Sequence, residues 1–209
     1  MTDPIGERLR QYDFDFCPEP VQPACLLPPR LLILACSNTK AEGEGLAARD
    51  RYDGPLWQTL RAVDPDGSRV FVAYLSAKYG LGDARSPLPS YNAVLNARSA
   101  EAMAAAGIGE LYPAVKLDQK TDAGRARALA AVGKRNTAFL TGLRLTRELG
   151  QPFRDVAVCG GKHYVGVGRA FVAGMTEVGQ VAADAPLTII NDQIGYMRAA
   201  LRAWIVGAN

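Results

Sequence analysis

Short apolar runs recur along the chain, and each one stops at a group of small polar residues. The first run, Leu31–Ala35, is followed directly by Cys36, Ser37, Asn38, Thr39 and Lys40. Short apolar runs bounded by turn residues are typical of buried strands. The same pattern predicts further strands over Arg69–Leu75, Val156–Cys159 and Leu187–Ile190.

The segments between these runs have the composition of helices and loops. A helix is predicted over Gly54–Val63, with Pro55 in its first turn, where the missing N–H of proline is not needed. Ser99 suits the N-cap, and Gly107 the stop, of a helix over Ser99–Ala106. Loops are predicted over Lys40–Asp53 and Gly82–Asn92, and helices over Asp122–Gly150 with an interruption at Gly133, Val165–Ala173 and Gln193–Val206.

Strands that alternate with helices favour an α/β fold with a mostly parallel central sheet flanked by helices. The helical stretch at about 95–154 is too long for one crossover and predicts an inserted helical subdomain. Residues 1–30 contain six prolines, which disfavour long regular elements, so we expect a proline-rich arm there. Residues 31–209 are then expected to form a single domain.

The charge is uneven along the chain, although the formal net charge is only +3. Nine basic and three acidic residues lie between Lys116 and Arg154. Such a region can grip the backbone of a nucleic acid, or it can simply be the solvated face of helices. The candidate nucleic-acid contacts in it are Arg125, Arg127, Lys134 and Arg135.

Cysteine and hydropathy patterns exclude several other classes of protein. Hydrophobic residues make up 48% of the 209, so a sizeable core can be buried. The four cysteines have no C-x-x-C spacing and there is one histidine, so no metal site and no cofactor is predicted. No signal peptide and no apolar run of about 18 residues is found. We therefore expect a reduced cytoplasmic protein without membrane contact, and leave its oligomeric state open.

Three of the predicted strands end in a polar cluster that contains a lysine. These lysines are Lys40, Lys78 and Lys162. If the strands are parallel neighbours, their carboxyl ends share one edge of the sheet, where ligands of such folds bind. Small residues in the clusters would let a ligand approach the backbone, or they would merely form tight turns. The candidate binding residues of these clusters are Cys36, Ser37, Asn38, Thr39, Ser76, Gly80, Gly160, Gly161 and Lys162.

Tyrosines accompany these lysines. Aromatic faces next to cations suit a nucleobase and its phosphate, whereas each single tyrosine could also cap the edge of the core. The candidate residues are Tyr52, Tyr79, Tyr91 and Tyr164, together with Asn92.

The predicted catalytic residues are Lys40, Lys78 and His163. His163 is the one histidine and could act as a general base or be a turn residue. The G-x-S-x-G elbow, the Walker A loop and a G-x-G-x-x-G loop after the first strand are absent from the sequence. If the protein breaks a glycosidic bond, an acidic residue should help to stabilise the cationic sugar or to direct water. Asp50, Asp53 and Asp83 are candidates for this role, and the sequence does not choose between them.

The ordered motifs resemble those of bacterial and phage proteins related to the peroxide-stress protein YaaA. The resemblance is carried by Cys36-Ser37-x-Thr39-Lys40, Tyr52-x-Gly54-Pro55-Leu56, Leu75-Ser76-Ala77-Lys78-Tyr79-Gly80-Leu81, Pro89-x-Tyr91 and Gly160-Gly161-Lys162-His163-Tyr164. The Cys-Ser-x-x-Lys piece also resembles archaeosine synthase, whose family modifies a deazaguanine base in transfer RNA. The chain lacks the Pro-Tyr and later histidine that follow the lysine there.

The resemblance implies a YaaA-like α/β fold and an association with DNA or nucleobases. The leading hypothesis is therefore an enzyme that acts on a nucleobase, by cleavage or exchange of its N-glycosidic bond or by modification of the base. The first alternative is a non-catalytic DNA-binding or stress-response protein. The second is a small-molecule enzyme that acts on free nucleotides.

Overall fold

A five-stranded sheet forms the centre of the part of the protein that the structure describes. The structure is a computed structural model, and it describes residues 28–113 and 136–207. The strands are β1 (Arg30–Ala35), β2 (Phe71–Ser76), β3 (Gly80–Asp83), β4 (Asp155–Cys159) and β5 (Leu187–Ile190). Their spatial order is β3-β2-β1-β4-β5, and only the β2–β3 pair is antiparallel.

Both faces of this sheet are covered, which explains the unbroken apolar runs of β1, β2 and β4. Side chains alternate across a strand, so Leu31 and Ile33 join one core cluster while Leu32 and Leu34 join the other. All four of these side chains have no exposed surface. The runs are therefore apolar at every position because there is no solvated face.

Helices α3 (Ala97–Ala106), α4 (Ala138–Leu149) and α5 (Lys162–Glu177) cover the face of Leu31 and Ile33. The short α1 (Ala48–Arg51), with α2 (Pro55–Val63) and α6 (Ile194–Val206), covers the opposite face. The predicted α/β class and mostly parallel sheet are thus confirmed. No helix among the described residues is both long enough and apolar enough to span a bilayer.

Several predicted boundaries are wrong, for local reasons. β3 (Gly80–Asp83) was not predicted and overlaps the first two residues of the predicted Gly82–Asn92 loop, because its two glycines hide the strand pattern. A Cβ at Gly82 would lie 2.3 Å from the ring of Tyr74, which explains why this strand has no side chain there. The predicted Lys40–Asp53 loop contains α1.

Two helices begin earlier than predicted. Asn96 is the N-cap of α3, and Ser99 is instead the third helical residue, whose side chain completes a capping box. α5 starts at Lys162 and runs to Glu177, well beyond the predicted Val165–Ala173. A Cβ at Gly168 would lie 2.4 Å from Val158 Cγ1, so this glycine is needed where α5 lies close to β4.

Most of the predicted arm at residues 1–30 and the basic part of the predicted insertion lie outside the described residues. Arg125, Arg127, Lys134 and Arg135 fall in that part. The described ends of the insertion, α3 and α4, contribute Met103 and Leu145 to the same core cluster as β1.

Candidate functional site

The carboxyl ends of β1, β2 and β4 lie side by side at one edge of the sheet. Ala35 pairs with Leu75, and Leu34 pairs with Cys159. Cys36, the first residue beyond β1, donates its backbone N–H to Leu75 O at 2.8 Å. The structure therefore brings the polar clusters after the three strands to a common edge.

A chain of three hydroxyl groups is buried beside this edge. The hydroxyls of Tyr52 and Tyr91 are 2.6 Å apart, and Ser76 Oγ donates to Tyr91 Oη at 2.7 Å. Ser76 Oγ also accepts the backbone N–H groups of Lys78 and Tyr79, both at 3.1 Å. Ser76 thus links the turn that carries Lys78 to the phenol of Tyr91.

Two lysines lie over the tyrosines of this cluster. Lys40 Nζ is 4.5 Å from the ring centre of Tyr91, and Lys78 Nζ is 6.0 Å from it. Lys78 Nζ is also 5.4 Å from the ring centre of Tyr79. Neither lysine forms an ion pair with a carboxylate of the described residues. Within residues 28–113 and 136–207, both ammonium groups lie over tyrosine rings, and that of Lys40 also contacts carbonyl oxygens.

Lys40 has a structural role as well. Its ammonium donates to Ser37 O at 3.0 Å and to Asn38 O at 3.4 Å, which stabilises the turn after β1. These two carbonyl acceptors leave the third proton of the ammonium available to a ligand.

The thiol of Cys36 joins the two sides of the edge. Its Sγ lies 3.1 Å from the hydroxyl of Tyr164, which comes from the first turn of α5. Burial, followed by the nearby Cys36, raises the pKa of Tyr164 well above the ordinary tyrosine value. Burial also raises the pKa of Tyr91 and, most strongly, that of Tyr52, so these phenols keep their protons at neutral pH.

Two glycines allow the loops of this edge to approach each other. A Cβ at Gly54 would lie 2.3 Å from Ser37 Oγ, and a Cβ at Gly160 would lie 2.5 Å from the Cβ of Ala35. Gly160 is also held from β5, because Asn191 Nδ2 donates to its carbonyl at 2.7 Å. These close contacts fix the ends of β1 and β4 against their neighbours.

The predicted site residues differ in how far a ligand could reach them. Tyr52 has no exposed surface, and Tyr91 is 8% exposed with its ring covered by Lys40. Direct stacking on these two rings, which the sequence predicts, is therefore not open to a ligand in this structure. Tyr79 and Tyr164 are half-buried, and the exposed candidates are Asn38, Thr39, Lys78, Asn92, Gly161, Lys162 and His163.

His163 and Lys162 lie on the first turn of α5 and face a different surface. They line a shallow groove of about 300 Å³ against α3, with Glu101 on its other wall. No hydrogen bond or ring contact among the described residues joins His163 to Lys40 or Lys78. Among the described residues, the observed surroundings of this histidine are those of the α3 groove.

The three candidate acids are placed unequally. Asp53 donates its backbone N–H to Thr39 O at 3.0 Å, and its carboxylate is 2.5 Å from a nitrogen of Arg61. Asp83 pairs with Ala73 and is bound by Arg85 and Arg144 away from the carboxyl edge. Asp50 lines a separate cavity of about 320 Å³ near the start of β2. Asp53 is thus the acid nearest to the strand-end turn.

Sequence reasoning missed two residues that shape this edge. Trp57 is 1% exposed and donates its indole N–H to Ala35 O at 2.8 Å, and Asn191 holds Gly160 as described. Asn191 directly follows the apolar run of a predicted strand, and this position could have marked it as a site residue.

Comparisons with protein-family models, with curated proteins and with solved structures match no family, protein or structure to this chain. Across residues 28–113 and 136–207, no group of three or more His, Cys, Asp and Glu side chains is arranged to hold a metal ion. The interpretation of the site therefore depends on its own geometry.

Proposed function

We propose that the carboxyl edge of β1, β2 and β4 binds a nucleobase or nucleotide, and that the protein is an enzyme acting on that base. The observation that carries this proposal is the pair Lys40 and Lys78, two cations beside buried tyrosines that have no carboxylate partner in the part of the chain that the structure describes. Unpaired cations at the carboxyl ends of parallel strands suit an anionic ligand.

The exposed groups of the edge complement the other parts of such a ligand. The half-buried rings of Tyr79 and Tyr164 can contact the plane of a base. The exposed amides of Asn38 and Asn92 can read its polar edge. Positive charge from the lysines would stabilise negative charge that develops on a departing or modified base. The resemblance to YaaA-like proteins supports the same class of ligand.

The reaction that fits this arrangement is cleavage or exchange of an N-glycosidic bond, or modification of the base itself. A base in a DNA duplex would first have to leave the stack, whereas a free nucleotide would need no such step. The experiment below therefore includes polymer and monomer probes as separate arms.

The test is a thermal-shift series with free bases, nucleosides, nucleoside monophosphates and short single- and double-stranded DNA at low salt. A ligand present at 100 times its Kd adds about 2.7 kcal/mol to the free energy of unfolding. For a chain of this size, that stabilisation raises Tm by roughly 5–11 °C. We expect such a rise for a probe that contains both a base and a phosphate.

Lys40→Ala and Lys78→Ala should each abolish the Tm rise while leaving the unliganded Tm within a few degrees of wild type. Arg202→Ala is the matched control, because it removes one exposed positive charge from α6. No shift with any probe, or an undiminished shift in both lysine variants, would count against the proposal. A shift with DNA alone, falling steeply with added salt and without any change to the DNA, would favour the non-catalytic DNA-binding alternative.

A further inference from the structure

The hydroxyl of Ser76 can only be the donor in its hydrogen bond with Tyr91. Its oxygen accepts two backbone N–H groups, from Lys78 and Tyr79, so both of its lone pairs are occupied. Its proton must therefore go to Tyr91 Oη, which lies 2.7 Å away. Ser76 is completely buried, so water does not offer an alternative partner.

The direction of the next hydrogen bond follows from burial. Tyr52 has no exposed surface, and its hydroxyl has one partner among the described residues, Tyr91 Oη at 2.6 Å. If Tyr91 donated to Tyr52, the proton of Tyr52 would be buried without an acceptor, which is unfavourable. If Tyr52 donates to Tyr91, the protons of both Ser76 and Tyr52 have an acceptor, and neither is buried without a partner.

Tyr91 then accepts two hydrogen bonds, and its own proton goes to neither Ser76 nor Tyr52 but toward Cys36. The effects on the pKa of Tyr91 agree with this direction: burial and Cys36 raise it, whereas the hydrogen bonds from Ser76 and Tyr52 lower it. The same bond raises the pKa of Tyr52, as expected for the donor. The hydrogen bond to Cys36 holds the proton of Tyr91 only loosely, because the sulfur of a cysteine is a weak acceptor.

We propose that Tyr91 is the proton donor of this carboxyl edge, and that Ser76 and Tyr52 are positioning residues that turn its O–H away from the buried hydroxyls and toward half-buried Cys36, where a ligand can meet it. This inference depends on the proposed function for the identity of the ligand. It narrows the ligand to one that presents a hydrogen-bond acceptor, such as an unprotonated ring nitrogen, to Tyr91.

The surroundings of Tyr91 suit the charge that such a transfer creates. The charged or titratable groups near it among the described residues are Lys40, Lys78, Cys36, Tyr52, Tyr79 and Tyr164. In release of a base, the electrons of the C–N bond move into the ring of the base, and the unprotonated ring nitrogen that faces Tyr91 takes its proton. The tyrosinate lies between two hydroxyl donors and Lys40. The water that adds to the sugar carbon returns a proton to Tyr91, so atoms and charge balance.

The test establishes which hydroxyl donates in each hydrogen bond of Tyr91, by measuring its apparent pKa in the protein without a ligand. The protein is made with fluorinated tyrosine, whose phenol is more acidic, and the Tyr91 signal is assigned by its loss in Tyr91→Phe. Fluorine NMR then follows the titration of Tyr91 with pH. Tyr52→Phe and Ser76→Ala each remove a donor to Tyr91 and should raise its apparent pKa by about one to two pH units.

Two controls keep the result interpretable. Tyr79→Phe should leave the titration unchanged, because its ring is 5.0 Å from that of Tyr91 but its hydroxyl is not in the network. Ser76→Thr keeps the hydroxyl and should restore the wild-type value. If Ser76→Ala fails to fold, Tyr52→Phe alone decides, since it preserves the volume of the side chain. An unchanged or lower pKa in Tyr52→Phe means that Tyr91 donates inward, and it overturns the inference.

With a bound nucleotide identified, Tyr91→Phe should keep binding within about tenfold and reduce turnover by about 10²–10⁴-fold. Lys40→Ala should lose binding itself. A correct hydroxyl direction without nucleotide binding would refute the proposed function alone. Nucleotide turnover with the opposite hydroxyl direction, or undiminished turnover in Tyr91→Phe, would refute the role of Tyr91 alone.

Discussion

Replacing Gly160 with alanine should strain the junction between β1 and β4. A Cβ at this position would lie 2.5 Å from the Cβ of Ala35 and 3.2 Å from the Cβ of Tyr164. Carbon atoms in contact normally lie about 3.5–4.0 Å apart, so the overlap with Ala35 is about 1 Å. Both neighbours are Cβ atoms, which cannot rotate away, so the backbone must shift. Overpacking of this kind costs about 1–3 kcal/mol.

The assay is urea and thermal unfolding of wild type, Gly160→Ala, Ala35→Gly and the double variant. Gly160→Ala should lower Tm by roughly 2–12 °C for a chain of this size. Ala35→Gly should cost about 0.5–1 kcal/mol, because glycine in a strand loses more backbone entropy. The double variant removes the Ala35 methyl, so it should be at least about 1 kcal/mol more stable than the sum of the single effects.

Gly161→Ala is the control, since nothing lies within 4 Å of a Cβ built there. It should change stability by less than about 1 kcal/mol. The reasoning is refuted if Gly160→Ala is neutral, or if the two single effects add within about 0.5 kcal/mol, which is the behaviour of independent sites.

Three further predictions concern the packing around the site. Burial pushes the pKa of Asp83 up, but hydrogen bonds from Arg85 and Arg144 outweigh it and hold that pKa below its usual value. Stability from this carboxylate is then present above the unfolded pKa of about 3.9 and is lost as pH falls through the lower folded pKa. Asp83→Asn should therefore cost about 1.5–3 kcal/mol at neutral pH, and urea titrations should show its deficit shrinking below about pH 4; a deficit independent of pH would contradict this. Trp57→Phe leaves the buried carbonyl of Ala35 without its donor and should lower the free energy of unfolding by about 1–3 kcal/mol, measured by urea unfolding, with an unchanged midpoint as the contrary result. Burial raises the pKa of Cys159 to about 12, so peptide mass spectrometry should find it alkylated only after unfolding; rapid labelling of the native protein would show that β4 opens.

The sheet could be predicted because buried parallel strands have an unmistakable sequence pattern. Leu31–Ala35 and Val156–Cys159 are apolar at every position, and the structure places them next to each other. β3 could not be predicted in the same way, because Gly80 and Gly82 carry no side chain to show an alternation. Tyr74 lies where a Cβ of Gly82 would be, so the reason for that glycine is a tertiary contact.

For the candidate site, the location could be predicted from the sequence, but the burial of its side chains could not. Its location followed from strand ends, and the structure brings Cys36, Ser76 and Gly160 to one edge. The burial of Tyr52 and Tyr91 was not visible, since a tyrosine beside a lysine has the same sequence whether its ring is exposed or covered. His163 lies close in sequence to Tyr164, yet successive residues of a helix point about 100° apart. That rotation directs it toward Glu101 and the α3 groove.

The central position of β1 has a consequence for how the protein is made. Arg30 of β1 pairs with Asp155 of β4, which follows it by 125 positions. At about 5–20 residues per second, roughly 6–25 s of translation separate these two partners. During that interval β1 can pair with β2 but not with β4, so one hydrogen-bonding edge of β1 stays open on the ribosome. Gly160 and Tyr164 join the candidate site only when β4 pairs with β1. Ligand binding by a nascent chain would therefore report the last step of sheet assembly rather than the first.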